Sequence, residues 1–278
     1  MAIPQSRVFA LQLCALAFAA AARGQQPAPL PDVPTLMSQV EARQRQMDET
    51  RENYTYREIT ITRTLNKDGS IKKTETEENE VFYVHAHRID RLVRKDGKDL
   101  SPGEAKKEQD RVMKDVEKAE NTPPGQPING DNISVTRLLE IMQVSNPRRE
   151  LLDNRPTIRF DFTGNPHAKT HGRAEDASKK LAGTLWVDEQ DRQVRRLEAH
   201  FDDNFHMGFG LFSIGKGSSF VFDQKLVNPG AKEQGLWLPT DGQAHLVAHA
   251  IGFLGYRADV SFSDDHYQRF HAEAQQVK

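Results

Sequence analysis

The chain has 278 residues, with 38 Lys and Arg against 40 Asp and Glu, a formal net charge of −2, and 37% hydrophobic content. Nothing in so even a balance invites nucleic acid. A mean hydropathy of −0.70 does not suit an integral membrane barrel.

The first residues read as an export signal: Arg7, an apolar run over 8–22, and small residues around Ala22-Arg23-Gly24. Cleavage is expected after Gly24, giving a periplasmic or secreted protein of roughly 254 residues, long enough for a sizeable core. The run is too short, and too soon followed by Gln25-Gln26-Pro27, to be a membrane span, so the mature chain is expected to lack one. Cys14, the only cysteine, lies inside the apolar run rather than at a cleavage point, which argues against a lipid anchor. Without it, disulfides, thiolate metal sites and cysteine nucleophiles are excluded. Residues 36 basic and 40 acidic then remain, a net charge of −4.

A Pro-rich leader follows over 25–33. Leu36, Met37, Val40 and Met47 among Gln, Glu and Arg predict an amphipathic helix over 34–52. The period then changes: β-branched and aromatic residues over 54–65, the turn Asn66-Lys67-Asp68-Gly69, and a second run over 71–83 predict a long hairpin. Strand character continues over 80–93, with Lys95-Asp96-Gly97 as the next turn. Ser101-Pro102-Gly103-Glu104 has the form of a helix N-cap with a capping box. The charged helix after it, to about 120, carries only Val112, Met113 and Val116 as sizeable apolar residues and is expected to be a solvated insertion; a Pro-rich loop follows.

Residues 134–144 read as a short buried helix. The remainder reads as strands at 149–153, 157–163, 184–187, 194–201, 220–227, 236–238, 244–251 and 256–262, separated by turns such as Asn154-Arg155-Pro156 and Asp188-Glu189-Gln190-Asp191. Strands so closely spaced predict a mainly β chain with some α, an antiparallel sheet that curls on itself. The domain is expected to span 34–265, with a tail over 266–278.

The segment Gly183-Thr184-Leu185-Trp186-Val187-Asp188-Glu189-Gln190-Asp191-Arg192-Gln193-Val194-Arg195-Arg196-Leu197-Glu198 resembles a strand-turn-strand of the periplasmic lipoprotein-carrier superfamily, LolA- and LolB-like, with the sigma-factor regulator RseB as a relative. The leading helix and the helical insertion between early strands are also similar to that family. The resemblance implies a half-open antiparallel barrel covered by helices, whose concave side accepts acyl chains or another apolar ligand. The insertion 101–120 and the loop 167–180 depart from the carriers, and the arginine that closes their lid has no assigned counterpart here.

Ten histidines invite a metal hypothesis. His85 and His87, and likewise His245 and His249, would share a strand face, with Asp161 or Asp259 as a joining carboxylate. The competing reading places these histidines on polar outer faces, and no His-Glu-x-x-His motif is present. His167 and His171 lie between Gly and Pro residues that favour a loop. Asp202-Asp203 and Asp264-Asp265 could serve a hydrolase, but adjacent acids in turns usually face solvent. Gly215-Lys216-Gly217-Ser218-Ser219 lacks phosphate-loop spacing and reads as a hairpin loop. Catalytic residues and cofactors are therefore not assigned.

The run 205–214, rich in Phe and Gly, could line a cavity mouth, dip into a membrane surface, or pack under a neighbouring loop as ordinary core. Trp186 interrupts the alternation between Leu185 and Val187, as expected of a strand covered on both faces, with a helix on one. Candidate lining residues for an apolar ligand are Phe160, Phe162, Trp186, Phe205, Phe209, Phe212 and Trp237. The leading expectation is a non-enzymatic binder of a lipid or acylated protein, with an envelope protein as a possible partner. The alternatives are an exported hydrolase or metal enzyme using strand histidines, and an envelope assembly protein with a filled barrel.

Overall fold

The computed structural model describes residues 29–124, 126, 128, 133–207, 212–227, 235–250 and 255–269. The export signal and cleavage point expected over 1–24, and Phe209, lie outside the described residues. The chain divides into a leading unit, Met1–Pro31, and a main unit, Asp32–Lys278, which holds all the elements below.

Helix α1 (Val33–Arg51) opens at Asp32, whose carboxylate accepts from the Thr35 N–H at 3.1 Å, with Pro34 in the first turn where a missing N–H costs nothing. Its inward stripe is Leu36, Val40, Gln44, Met47 and Arg51. The polar members are tied down: Gln44 donates to the Gln193 side chain at 2.6 Å. Strands β1 (Tyr54–Leu65), β2 (Ile71–Val84) and β3 (His87–Lys95) form a meander, followed by the two-residue β4 (Lys98–Asp99). The strand character expected over 80–93 is interrupted by a turn between β2 and β3. His85 and Ala86 both take positive φ (47° and 66°), as a two-residue hairpin turn demands, without the Asn-Gly pair that announces one.

Helix α2 (Pro102–Asn121) starts with the expected capping box: Ser101 N–H donates to Glu104 Oε2 at 2.9 Å. It is docked rather than simply solvated. Glu108 Oε1 accepts the Leu92 N–H at 2.7 Å, and the Arg111 guanidinium donates to the Asp90 carbonyl, so the helix satisfies backbone groups that the edge strand β3 leaves open. Helix α3 (Val135–Ile141) ends three residues before the expected 144, because β5 (Met142–Leu152) begins at once. Strand β6 (Arg155–Gly164) and the six-residue helix α4 (Arg173–Ser178), which occupies part of the expected loop over 167–180, lead into β7 (Leu181–Asp188) and β8 (Val194–Phe201). The short β9 (Phe205–Met207) and β10 (Phe212–Ile214) precede β11 (Ser219–Val227), β12 (Leu236–Ala250) and β13 (Tyr256–Arg269). The two strands expected over 236–251 are one, and β13 continues through the start of the expected tail to Arg269.

Among the described residues these strands make one antiparallel sheet in the order β4-β3-β2-β1-β13-β12-β11-β8-β7-β6-β5, with β9 and β10 beside β12. The sheet is unclosed and half-open, with helices on one face, in agreement with the fold class read from the sequence. One outer strand is covered by α2; the other, β5, carries Pro147 and a bulge between Ser145 and Arg148, which spoil it for pairing with another chain. The main core joins Leu36 and Val40 of α1, Leu138 and Leu139 of α3 and Ala177 of α4 to Ile158, Phe160, Leu185, Val187 and Leu197 of β6–β8. Arg137 of α3 bridges to the buried Glu175 of α4 at 2.9 Å, holding the two short helices together.

The double variant Glu108→Ala/Arg111→Ala should release the edge of β3: exchange at the Leu92 amide accelerates about tenfold or more and sedimentation shows self-association. Unchanged protection at Leu92 would show that α2 does not seal this edge.

Candidate functional site

Register fixes which side chains share a face, since cross-strand partners point the same way. One row crosses seven strands: Phe160, Leu185, Leu197, Phe222, Gly242, Phe262 and Thr60. The neighbouring row is Phe162, Gly183, Ala199, Phe220, Ala244, Val260 and Thr62. Burial falls along both. Phe160 and Leu185 are fully enclosed under α1, α3 and α4, whereas Phe220, Phe222, Val260 and Phe262 are half-buried. Gly242 is part of this surface: a Cβ there would lie 2.3 Å from Phe262 Cε1, so the missing side chain lets the Phe262 ring lie across the strand. The helix-covered face therefore has a filled half over β6–β8 and a partly open apolar half over β11, β12 and β13, bordered by Thr60 and Thr62 of β1.

The lining candidates whose side chains are described do not gather on that open half. Phe160 and Phe162 are in the filled core, and Phe205 is half-buried against it. Trp186 is on the opposite, outer face, because its partners are Arg159 and Arg196. Its second covering is not a helix but polar side chains: the Arg159 guanidinium lies 5.3 Å from the ring centroid and Nε1 donates to Glu150. Trp237 packs on Met47 and Leu238, with Arg155 and Arg195 at 5.3 and 5.5 Å from the ring and Nε1 donating to Asp191 at 2.9 Å. Phe212 pairs with Ala250 and Met207 in the backbone; its side chain lies outside the described residues. Phe220, Phe222, Val260 and Phe262 were not among the candidates, although their i, i+2 spacing marks them as sharing faces.

The histidines separate too. His85 sits in the turn and His87 begins the next strand, bonded through Nε2 to the Thr122 carbonyl at 3.0 Å, so they do not share a strand face. His245 and His249 do lie on one strand, β12; His245 Nδ1 is 2.7 Å from Asp259, while Asp161 is engaged by Asn146 at 3.0 Å. Among the described residues no three His, Cys, Asp or Glu side chains are placed to hold a metal ion.

Where the open half ends, the row shifts from apolar to ionisable. Asp264 and Asp265 are in a strand, not a turn, and alternate faces. Asp265 points outward to Arg57 at 2.8 Å, whose hydrogen bonds hold its pKa at about 2. Asp264 points inward, opposite Glu58, and both are only 8% exposed. Arg88 reaches Glu58 at 2.8 Å and Asp90 at 2.6 Å. Tyr56 stacks near Tyr267 at 5.0 Å and its hydroxyl is 3.4 Å from that of Tyr83. Neither Asp264 oxygen has a hydrogen-bond partner while both groups are carboxylates, since two acceptors cannot bond. Burial first, then the Glu58 charge, push Asp264 up to about 8 against the opposing Arg88, so the pair holds one proton between two acids at neutral pH.

A folded pKa above the ordinary 3.8 means that the native state retains a proton that the unfolded chain releases. The stability from this group is complete below about pH 4 and is lost as pH rises to about 8. Asp264→Asn should flatten that slope and exceed the parent in stability above pH 8, as read by chemical denaturation across pH; parallel curves for the two proteins would refute the shared proton.

No helix among the described residues is long and apolar enough to cross a membrane. No protein-family model matches the chain, and no curated protein matches it in sequence. A crystal structure from Vibrio parahaemolyticus, described as an outer membrane lipoprotein-sorting protein domain, aligns at a TM-score of 0.41 and 10% identity, over 88% of this chain and 96% of that one.

Proposed function

We propose that this is an exported, non-catalytic envelope protein that takes a lipid-like ligand, or the acyl chain of a modified partner, on the open half of its helix-covered face. The carrying observation is the burial gradient along the two apolar rows: Phe220, Phe222, Val260 and Phe262 continue the core surface past the helices and stay half-buried. An acyl chain laid along them would complete the burial that the helices leave unfinished. Each methylene removed from water contributes about 0.8 kcal/mol, before the cost of ordering the chain and its site. Export rests on the apolar run 8–22 behind Arg7. Phe205, Phe209 and Phe212 remain candidates for the rim of the same surface.

A second reading has its own support. The complete packing of Phe160, Phe162, Leu185 and Leu197 fits an assembly protein whose interior is filled and whose loops meet an envelope partner.

Native mass spectrometry of protein purified from an envelope fraction, followed by lipid extraction, separates the two. An acyl species released on unfolding, or saturable uptake of dodecanoate, supports the carrier reading. Val260→Asp, which sets a carboxylate against the chain, should weaken dodecanoate binding by about tenfold or more. Neither a co-purifying acyl species nor dodecanoate uptake would leave the assembly reading in place.

A further inference from the structure

The outer face of the sheet is a lattice of cross-strand ion pairs in which arginines are generally spoken for: Arg57 with Asp265 at 2.8 Å, Arg94 with Asp99 at 3.1 Å, Arg196 with Asp223 at 3.5 Å. Arg63 differs. Among the described residues its side chain makes no hydrogen bond or ion pair, although its register partner is Asp259. The Asp259 carboxylate turns instead to the other neighbouring strand and accepts from His245 Nδ1 at 2.7 Å. That bond fixes the proton of a neutral ring on Nδ1 and leaves Nε2 free.

The same residues outline an open depression of about 420 Å³. Register sets Arg63, Asp259, His245 and Ser219 in one row across β1, β13, β12 and β11, and Ser261 beside Gln243 in the next. A free guanidinium, a ring nitrogen, two hydroxyls and a carboxamide thus border one space, with the single carboxylate already engaged. The convergence of a few polar groups in a concave site of this size is the form of a small-ligand site, and the donors outnumber the acceptors.

We propose that this depression binds a phosphate-type oxyanion, held by the Arg63 guanidinium with the hydroxyls of Ser219 and Ser261 as further donors, while the anion's own P–OH donates to His245 Nε2. The charged groups facing the space are Arg63 from β1, Asp259 from β13 and His245 from β12; His200 of β8, across β11, is bonded to Asp202 at 3.1 Å. The source of the oxyanion is either a free phosphate or the phosphate of a lipid headgroup. The site is on the face opposite the apolar rows, so it stands or falls independently of the acyl reading.

The test is titration of the full chain with inorganic phosphate, followed by calorimetry and by the ring resonances of His245, alongside flotation with vesicles of phosphatidylglycerol and of phosphatidylcholine. Saturable phosphate binding that Arg63→Gln weakens about tenfold supports the site. Flotation with phosphatidylglycerol that Arg63→Gln abolishes supports it with a headgroup as the source. Arg94→Gln, on the same face but with its charge already paired, should leave either signal unchanged. Binding insensitive to Arg63→Gln, or no binding in either arm, overturns the proposal.

Discussion

An unclosed sheet must cover one face and seal two edges with whatever the rest of the chain supplies, and here the helices suffice for only part of that task. α1, α3 and α4 bury β6 to β8, where Phe160, Ile158, Leu185 and Val187 reach complete enclosure. α2 is spent on an edge, lending Glu108 and Arg111 to the backbone of β3. What remains over β11 to β13 is apolar enough to be continuous with the core and too wide for the helices to close. The Glu58–Asp264 pair marks the limit of this surface, where inward side chains become ionisable and yet stay buried.

The two faces use their strands differently. Inward rows over β6 to β13 are mostly apolar up to the Glu58–Asp264 pair and depend on area removed from water. Outward rows alternate charge across neighbouring strands, with Arg155 reaching Asp188 at 2.8 Å and Asp191 at 2.9 Å and Arg149 reaching Glu189 at 2.5 Å. Individually such surface pairs contribute little, but together they make an uncovered sheet face soluble. Asp188 is the exception in depth. It is 1% exposed, accepts the N–H groups of Gln190 and Asp191 at 3.0 and 2.8 Å, and keeps its pKa below the ordinary value despite burial because Arg155 and those amides hold the charge. This turn sits between two core strands and beside Trp237, so its charge satisfies the end of the sheet rather than a ligand.

Local chemistry was legible wherever one residue type forces one backbone. The capping box at Ser101 and Glu104, the Asp96-Gly97 turn and the strand-turn-strand around Asp188 are all where their residues indicate. The His85–Ala86 turn was not, because those residues tolerate positive φ at a cost and do not advertise it. Nor was α4, six residues long and lacking a side-chain cap. The larger failures concern faces. Residue type selected Trp186 and Trp237 as cavity lining, but which face a strand residue occupies depends on pairings between distant segments, such as β8 with β11, that no local pattern encodes. The same reason hid Asp264: beside Asp265 it reads as one half of a solvated pair, and only the register opposite Glu58 turns it inward.

The place of β1 has a consequence for how the chain is made. Its partner on one side, β2, follows directly, but on the other side it pairs with β13, from Tyr54 opposite Arg269 to Thr64 opposite Ala258. Among the described strands the first synthesised therefore waits for the last, and closing that loop is entropically slow and of high contact order. Until then the segment Tyr54-Thr55-Tyr56-Arg57-Glu58-Ile59-Thr60-Ile61, rich in β-formers, presents an unpaired hydrogen-bonding edge in the middle of the future sheet. The nascent chain is consequently most prone to pair with a neighbour before its own C-terminal strand arrives, and the late strand, rather than any helix, joins the two halves of the sheet.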